Sequence, residues 1–311
     1  MPLRLCLEWC ARQGGVLLAA GIVVGLLTPP LAAALRDWVG PVVACLTTLV
    51  LLRIDPAQVL SYLRRPVLVA ALLAWILLAC PVLAHAAAWA MGLHGSLAAG
   101  LVIMATGCSA ISSPAFARMV GLDGELSLVV AVLATLLVPF TAPPLALGLL
   151  GIDLSISIGA LMGRLALLVA LPLAISLLIR RVVRPSVLDR WGRAVDGTVV
   201  LLVVLYGFGI MDGVLARLLA APGFVLGGLA LAFAGSFGLN AATALAFRPA
   251  GQRVALSAGL LSGNRNMALY FAVLPAATDP LILLFFALCQ FPLFFSPFLL
   301  RPVYRRLRLE G

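Results

Sequence analysis

Apolar stretches of ~18 residues or more, the length that carries an α-helix across a bilayer, recur from one end of this chain to the other. That feature restricts the fold more than any motif does. In hydrocarbon every backbone N–H and C=O must find a partner within the protein, so a spanning segment is a helix or a strand of a closed barrel. A barrel would show short alternating segments, and none appear. The 311 residues are 64% hydrophobic and 10% charged, against about 25% charged in soluble domains. The longest polar stretch, RRVVRPSVLDRWGRAVDG at 180–197, is too short for a soluble domain. The expectation is an all-α polytopic membrane protein.

Ten transmembrane helices are expected, at 14–35, 38–53, 66–92, 96–118, 125–150, 155–180, 196–217, 222–247, 253–275 and 279–301. The N-terminus, with Arg4, Arg12, an apolar run and Ala32-Ala33-Ala34, mimics a signal peptide. It is read as an uncleaved first span, because its removal would spoil the symmetry described below. All 21 basic residues are arginines. Seventeen fall on one side of the membrane and two, Arg36 and Arg217, on the other, while Arg164 and Arg265 fall within spans. The positive-inside rule then puts both termini in the cytoplasm. It also accounts for the net charge of +10 without a nucleic-acid partner. A bacterial inner membrane is the expected location, with the lipid bilayer as partner and no oligomeric state implied.

Ten spans divide into five and five, 1–150 and 151–311, and an odd number per half makes the halves inverted repeats. GCSAISSPAF (107–116) interrupts the fourth span and SGNRN (262–266) the ninth, each followed by a proline-bearing span. Broken helices leave backbone groups unpaired, which a membrane tolerates only beside a cavity or ligand. Matching breaks in two halves point to a transporter's midplane site. Arg265 lies 12 residues after Arg253 and 14 before Asp279. In a helix that is roughly 18–21 Å either way, beyond the reach of a snorkelling side chain. A charge there is costly and marks a functional position. The candidate substrate-binding residues are Thr106, Ser109, Ser112 and Ser113 from the first break, and Ser262, Asn264, Arg265 and Asn266 from the second.

Four stretches carry a likeness to a known family: RIDPAQVLSYLRRP (53–66), GCSAISSPAFARMVGLDGELSLVVAVLATLLVP (107–139), LPLAISLLIRR (171–181) and GNRNMAL (263–269). In that order and spacing the chain resembles the bile acid:sodium symporter superfamily, which also holds arsenite-efflux and organic-anion carriers. The resemblance implies that spans one, two, six and seven form a panel domain and the other six a core. It also implies that the discontinuous helices four and nine cross at mid-membrane. Sodium-coupled members hold Na⁺ with oxygen donors near that crossing. At the corresponding positions this chain has Ser113-Pro114, a retained Ser127, Ala131, Trp75 or Ile76, Leu261 in place of a carboxylate, and Arg265 in place of an amide.

The implied function is secondary active transport of a small organic anion by alternating access, with degenerate sodium sites and Arg265 standing in for bound Na⁺. Arg265 as a tether of the two broken spans, without ligand contact, stays open, as does any need for Na⁺. No other cofactor is expected. One alternative is arsenite efflux through Cys108, in the stretch Cys108-Ser109-Ala110-Ile111; another is a membrane ligand sensor that no longer transports. An enzyme is not expected, since neither HExxH nor paired intramembrane acids occur. The six cysteines suggest neither a disulfide framework nor a metal site. His94 is expected in an outer loop and His85 within the bundle. Arg164 is expected to snorkel outward or face the panel, Asp212 and Arg217 to pair, and Asn240 to support the crossing or merely pack.

Overall fold

Proline opens one helix after another in this chain. It sits in the first or second position of seven of them, where its missing N–H would have had no intrahelical partner. The computed structural model describes residues 2–54, 65–150, 156–275 and 277–309. Most of the 53–66 loop, Asp153 and the junction expected between the two halves lie outside the described residues.

In chain order the helices are α1 (Pro2–Arg12), α2 (Gly14–Leu27), α3 (Pro29–Arg36) and α4 (Val39–Arg53). Next come α5 (Pro66–Ala90), which contains a π-helical turn at Trp75–Ala79, then α6 (Gly95–Thr106), α7 (Ser113–Met119) and α8 (Gly124–Leu150). They are followed by α9 (Ile158–Val182), α10 (Pro185–Ile210), α11 (Val214–Ala220) and α12 (Pro222–Ala246). The last four are α13 (Gln252–Gly263), α14 (Ala268–Val273), α15 (Pro280–Leu288) and α16 (Gln290–Leu309). Among the described residues six helices are long and apolar enough to cross a membrane, and eight if the bent pairs α1/α2 (86°) and α3/α4 (73°) each count as one span. The expected fourth and ninth spans are absent from that tally because each is broken into short halves, α6/α7 and α13/α14.

The expected third, fifth, sixth and eighth spans coincide with α5, α8, α9 and α12 to within a few residues. Three others are corrected. The first is interrupted at Thr28, ahead of Pro29-Pro30. The seventh begins at Pro185, eleven residues early, because the helix already runs through the polar stretch PSVLDRWGRAV ahead of the apolar one. Its first helix ends at Ile210, and Gly213, whose φ of +74° is the left-handed conformation glycine adopts freely, leads into α11. The tenth runs on to Leu309. The helix α1 was not expected. It lies across α10, with its Arg4/Glu8 pair turned inward, Arg4 over the Trp191 ring, and Leu5 and Trp9 turned outward.

Two groups of helices emerge from the packing. In one, α2 and α4 pack on α10, and α4 also packs on α9. In the other, α5, α6, α7, α8, α12, α13 and α15 surround the two breaks. The groups meet where α8 packs on α9, α14 on α4 and α9, and α16 on α2. Ion pairs sit at the rims. Arg53 Nε donates to Asp196 Oδ1 at 3.0 Å. Arg36 Nη1 donates to Asp212 Oδ2 at 3.0 Å, so Asp212 pairs with Arg36 and not with Arg217. Large apolar side chains such as Val67, Leu78, Leu178 and Leu219 face outward, as a lipid-facing surface requires.

Candidate functional site at the helix crossing

The two breaks meet. Between α6 and α7, and between α13 and α14, the chain is extended, and Ser109 and Arg265 form an isolated antiparallel bridge. Ala110 N–H donates to Asn264 O at 2.7 Å, and Asn266 N–H to Cys108 O at 2.8 Å. Each broken segment thus satisfies backbone groups of the other, as buried backbone must be satisfied. Ser236 on α12 adds a hydroxyl bond to Gly263 O at 2.8 Å.

Arg265 is 3% exposed. Its Nε donates to Ser262 O at 2.6 Å, and its Nη1 to Gly107 O at 2.8 Å and Ile76 O at 3.0 Å. Among the described residues no carboxylate pairs with it. The charge is instead offset by geometry. Ser262 lies in the last turn of α13, and Gly107 directly follows α6. A helix C-terminus carries roughly −0.5 elementary charge, so the two ends supply about the charge of one carboxylate. Three of the five guanidinium N–H groups are then used. Nη2 is buried without a partner.

Other buried polar atoms at the crossing also lack partners: the hydroxyls of Ser109, Ser113 and Ser262, and the Asn264 amide nitrogen. Directly opposite residues of an antiparallel pair project to the same face. That places Ser109 beside Arg265 and Cys108 beside Asn266. Thr106 lies one turn back, donating to Ile103 O at 2.7 Å and sharing a 2.5 Å bond with Tyr270 OH. Ser112 and Asn266 are half-buried, and the side-chain Oδ1 of Asn266 accepts from Ala268 N–H at 3.2 Å. All eight candidate residues therefore lie in or beside the two breaks. In this conformation six are packed away, and Ser112 and Asn266 keep partial exposure. An open groove of about 570 Å³ lies elsewhere, lined by Arg65, Pro66, Phe247 and Pro249 among others, and no crossing residue reaches it.

Ser127 turns back on its own helix, donating to Asp123 O at 2.7 Å. Leu261 and the Ile76 side chain are fully buried. Cys108 is buried and accepts from Thr135 Oγ1 at 3.5 Å. Arg164 is exposed yet reaches Val273 O, at the end of α14, at 3.0 Å. Asn240 supports the crossing indirectly. It donates to Tyr304 OH at 2.7 Å, and its backbone lies against Gly259. Sequence reasoning missed Ile76 O, Tyr270 and Ser236. The first is a backbone atom with no side-chain signature, and the other two look like ordinary residues of apolar spans.

No curated protein matches the chain. The model of the sodium bile acid symporter family matches residues 41–219. That covers more than half of the chain, from α4 through the first break to α11. Among the described residues the fold is all-helical, with six to eight membrane-length helices and a broken helix inside the matched region, which is the character of a transporter. The chain belongs to the sodium bile acid symporter family.

Proposed function

We propose that this chain is a secondary active carrier of a small organic anion, built as ten spans in two inverted halves, 1–150 and 151–311. Counting α6/α7 and α13/α14 as broken spans beside the six continuous helices and two bent pairs gives the ten. The group α2–α4, α9 and α10 is the panel, and the group around the crossing is the core. One observation carries the reading: a fixed guanidinium held by backbone carbonyls at the crossing of two broken helices. Arg265 takes the place of a bound sodium ion. Ser262 O, Gly107 O and Ile76 O already face a cation, and Leu261 offers no carboxylate for a second. A sodium ion does not fit this set, and no step is assigned to one. The anion is drawn to the free Nη2 edge and the Ser109 hydroxyl. Only Nη2 remains free, so the contact is to single oxygen atoms and not a two-pronged grip on a carboxylate.

A thermal-shift screen of organic anions identifies the ligand, since binding stabilises the native state by mass action. Uptake of that anion into liposomes is expected to persist when Na⁺ is replaced by choline on both sides. Strict Na⁺-driven uptake would reject the reading. Stabilisation by an anion without flux would instead make the chain a sensor.

Arsenite efflux makes a separate prediction. Cys108 is buried and accepts from Thr135 Oγ1, as suits a cysteine acting as a small hydrophobe. Cys108→Ser is expected to leave anion uptake within about twofold, because thiol and hydroxyl differ little in size. Loss of arsenite resistance in a sensitive host on the same change would favour the metalloid reading.

The orientation, with both termini cytoplasmic, rests on the arginine asymmetry. Asp189, exposed near the start of α10, is expected on the cytoplasmic side. With the exposed Cys6 and Cys45 replaced by serine, Asp189→Cys should resist an impermeant maleimide in intact cells and react in inverted vesicles. Labelling from outside would invert the topology.

A further inference from the structure

The guanidinium of Arg265 has one acceptor that neither broken helix supplies. Ile76 lies in the π-helical turn of α5, far in sequence from both breaks. A mid-helix carbonyl is ordinarily taken by the N–H four residues on. For Ile76 that donor is Cys80, yet Cys80 N–H bonds to Trp75 O. In π register the donor would sit five residues on, and that residue is Pro81, which has no N–H. Both intrahelical donors are removed, and Ile76 O is left to the crossing. Ser262 O is free for a related reason. Its α-helical partner would be Asn266 N–H, which bonds to Cys108 O. Gly107 O lies past the end of α6.

We propose that these three carbonyls form a built cation cage matched to a guanidinium, and that its third wall exists because of Pro81. The cage concerns the same crossing as the transport reading but stands whether or not the chain carries an anion. A cage of this kind can be emptied and refilled. Arg265→Ala leaves a space of guanidinium size with three acceptors around it. Pro81→Ala restores an N–H at position 81 and lets the helix return to α register, so that Cys80 N–H takes Ile76 O. The acceptor is withdrawn without any change at the crossing itself. Pro81 is therefore a positioning residue, acting on Arg265 through the backbone of Ile76.

The test uses the full chain in detergent, with melting followed in millimolar guanidinium chloride. Sodium chloride and urea at the same concentration are the controls. Guanidinium is expected to raise the melting temperature of Arg265→Ala by several degrees and to leave the native chain unmoved. The double variant Arg265→Ala/Pro81→Ala is expected to lose most of that shift, and neither control should produce it. Equal shifts in the single and double variants would remove Pro81 from the cage. No shift in a folded Arg265→Ala protein would overturn the cage itself. Hydrogen exchange in Pro81→Ala alone decides the matter where Arg265→Ala does not fold. Amides 264–267 are expected to exchange about tenfold faster, as for loss of one hydrogen bond to a charged group, while those of 76–80 slow. Unchanged exchange at 264–267 would refute the proposal.

Discussion

Arg265→Ala is expected to lower both stability and anion uptake, by more than any other single change at the crossing. The substitution strands three buried carbonyls, on Ser262, Gly107 and Ile76. An unsatisfied buried polar group costs about 1–3 kcal/mol. Removing the cost of desolvating the guanidinium returns part of that. A net loss on the order of 3–5 kcal/mol follows. Uptake falls as well, because the positive centre of the site is gone. Added Na⁺ should restore neither property, since Leu261 leaves no carboxylate to complete a sodium site. Arg265→Lys keeps the charge but replaces a planar fork by a point donor, so an intermediate loss in both measurements is expected. Asn266→Ala removes the acceptor of Ala268 N–H and should cost about 1 kcal/mol, like the loss of a helix cap. Asn264→Ala should cost less, since its amide nitrogen has no partner. The measurement pairs melting in detergent with uptake of the screened anion in liposomes from the same preparation. Normal uptake by a destabilised Arg265→Ala protein would make the residue a tether and end the sodium-substitute reading.

Much of this site was legible because polar residues in an apolar span have few reasons to be there. Gly107, Ser109 and the Asn264-Arg265-Asn266 run marked both breaks to within a residue or two. The structure adds their meeting as an antiparallel bridge. What stayed hidden has physical causes. Hydropathy ends at the membrane surface, whereas α10 begins eleven residues before the expected span. Its start bears Arg190 O, which accepts from Arg4, and Asp196, which pairs with Arg53. The residues at 185–195 read as a loop because no apolar periodicity runs through them. Asp212 was matched to Arg217 on sequence proximity alone. The turn at Gly213 starts a new helix there, and Arg36 from another part of the chain takes the carboxylate. The third acceptor of Arg265 is a backbone oxygen, so its only trace in sequence is a proline five residues downstream. Charge balance was also invisible: two helix ends can replace a carboxylate only once it is known that both end at the same point.

Gly263→Val is expected to be nearly as damaging as loss of Arg265, for a reason that lies wholly in backbone approach. Gly259 and Gly263 are four residues apart on one face of α13 and face α12. A Cβ on Gly263 would lie 2.7 Å from Ser236 O and 3.0 Å from Asn240 Cβ, and one on Gly259 2.7 Å from Asn240 O. The nearest obstacle at each glycine is a backbone oxygen, which cannot rotate away as a side-chain tip does. Small residues at this spacing let membrane helices approach closely. Here the approach also places the Ser236 hydroxyl on Gly263 O. Gly259→Ala should cost about 1–3 kcal/mol by overpacking, and Gly263→Val about 3 kcal/mol or more. Gly238 on α12 is the internal control, because a Cβ there meets nothing within 4 Å. Gly238→Ala should be neutral or stabilising by up to ~1 kcal/mol through helix propensity. The three variants are compared by melting in one detergent. If Gly263→Val melts with Gly238→Ala, the close contact of α12 and α13 is not what holds the crossing. If it melts far below, uptake should fail with it, since α13 displaced from α12 carries Ser262 and Arg265 away from Gly107 and Ile76.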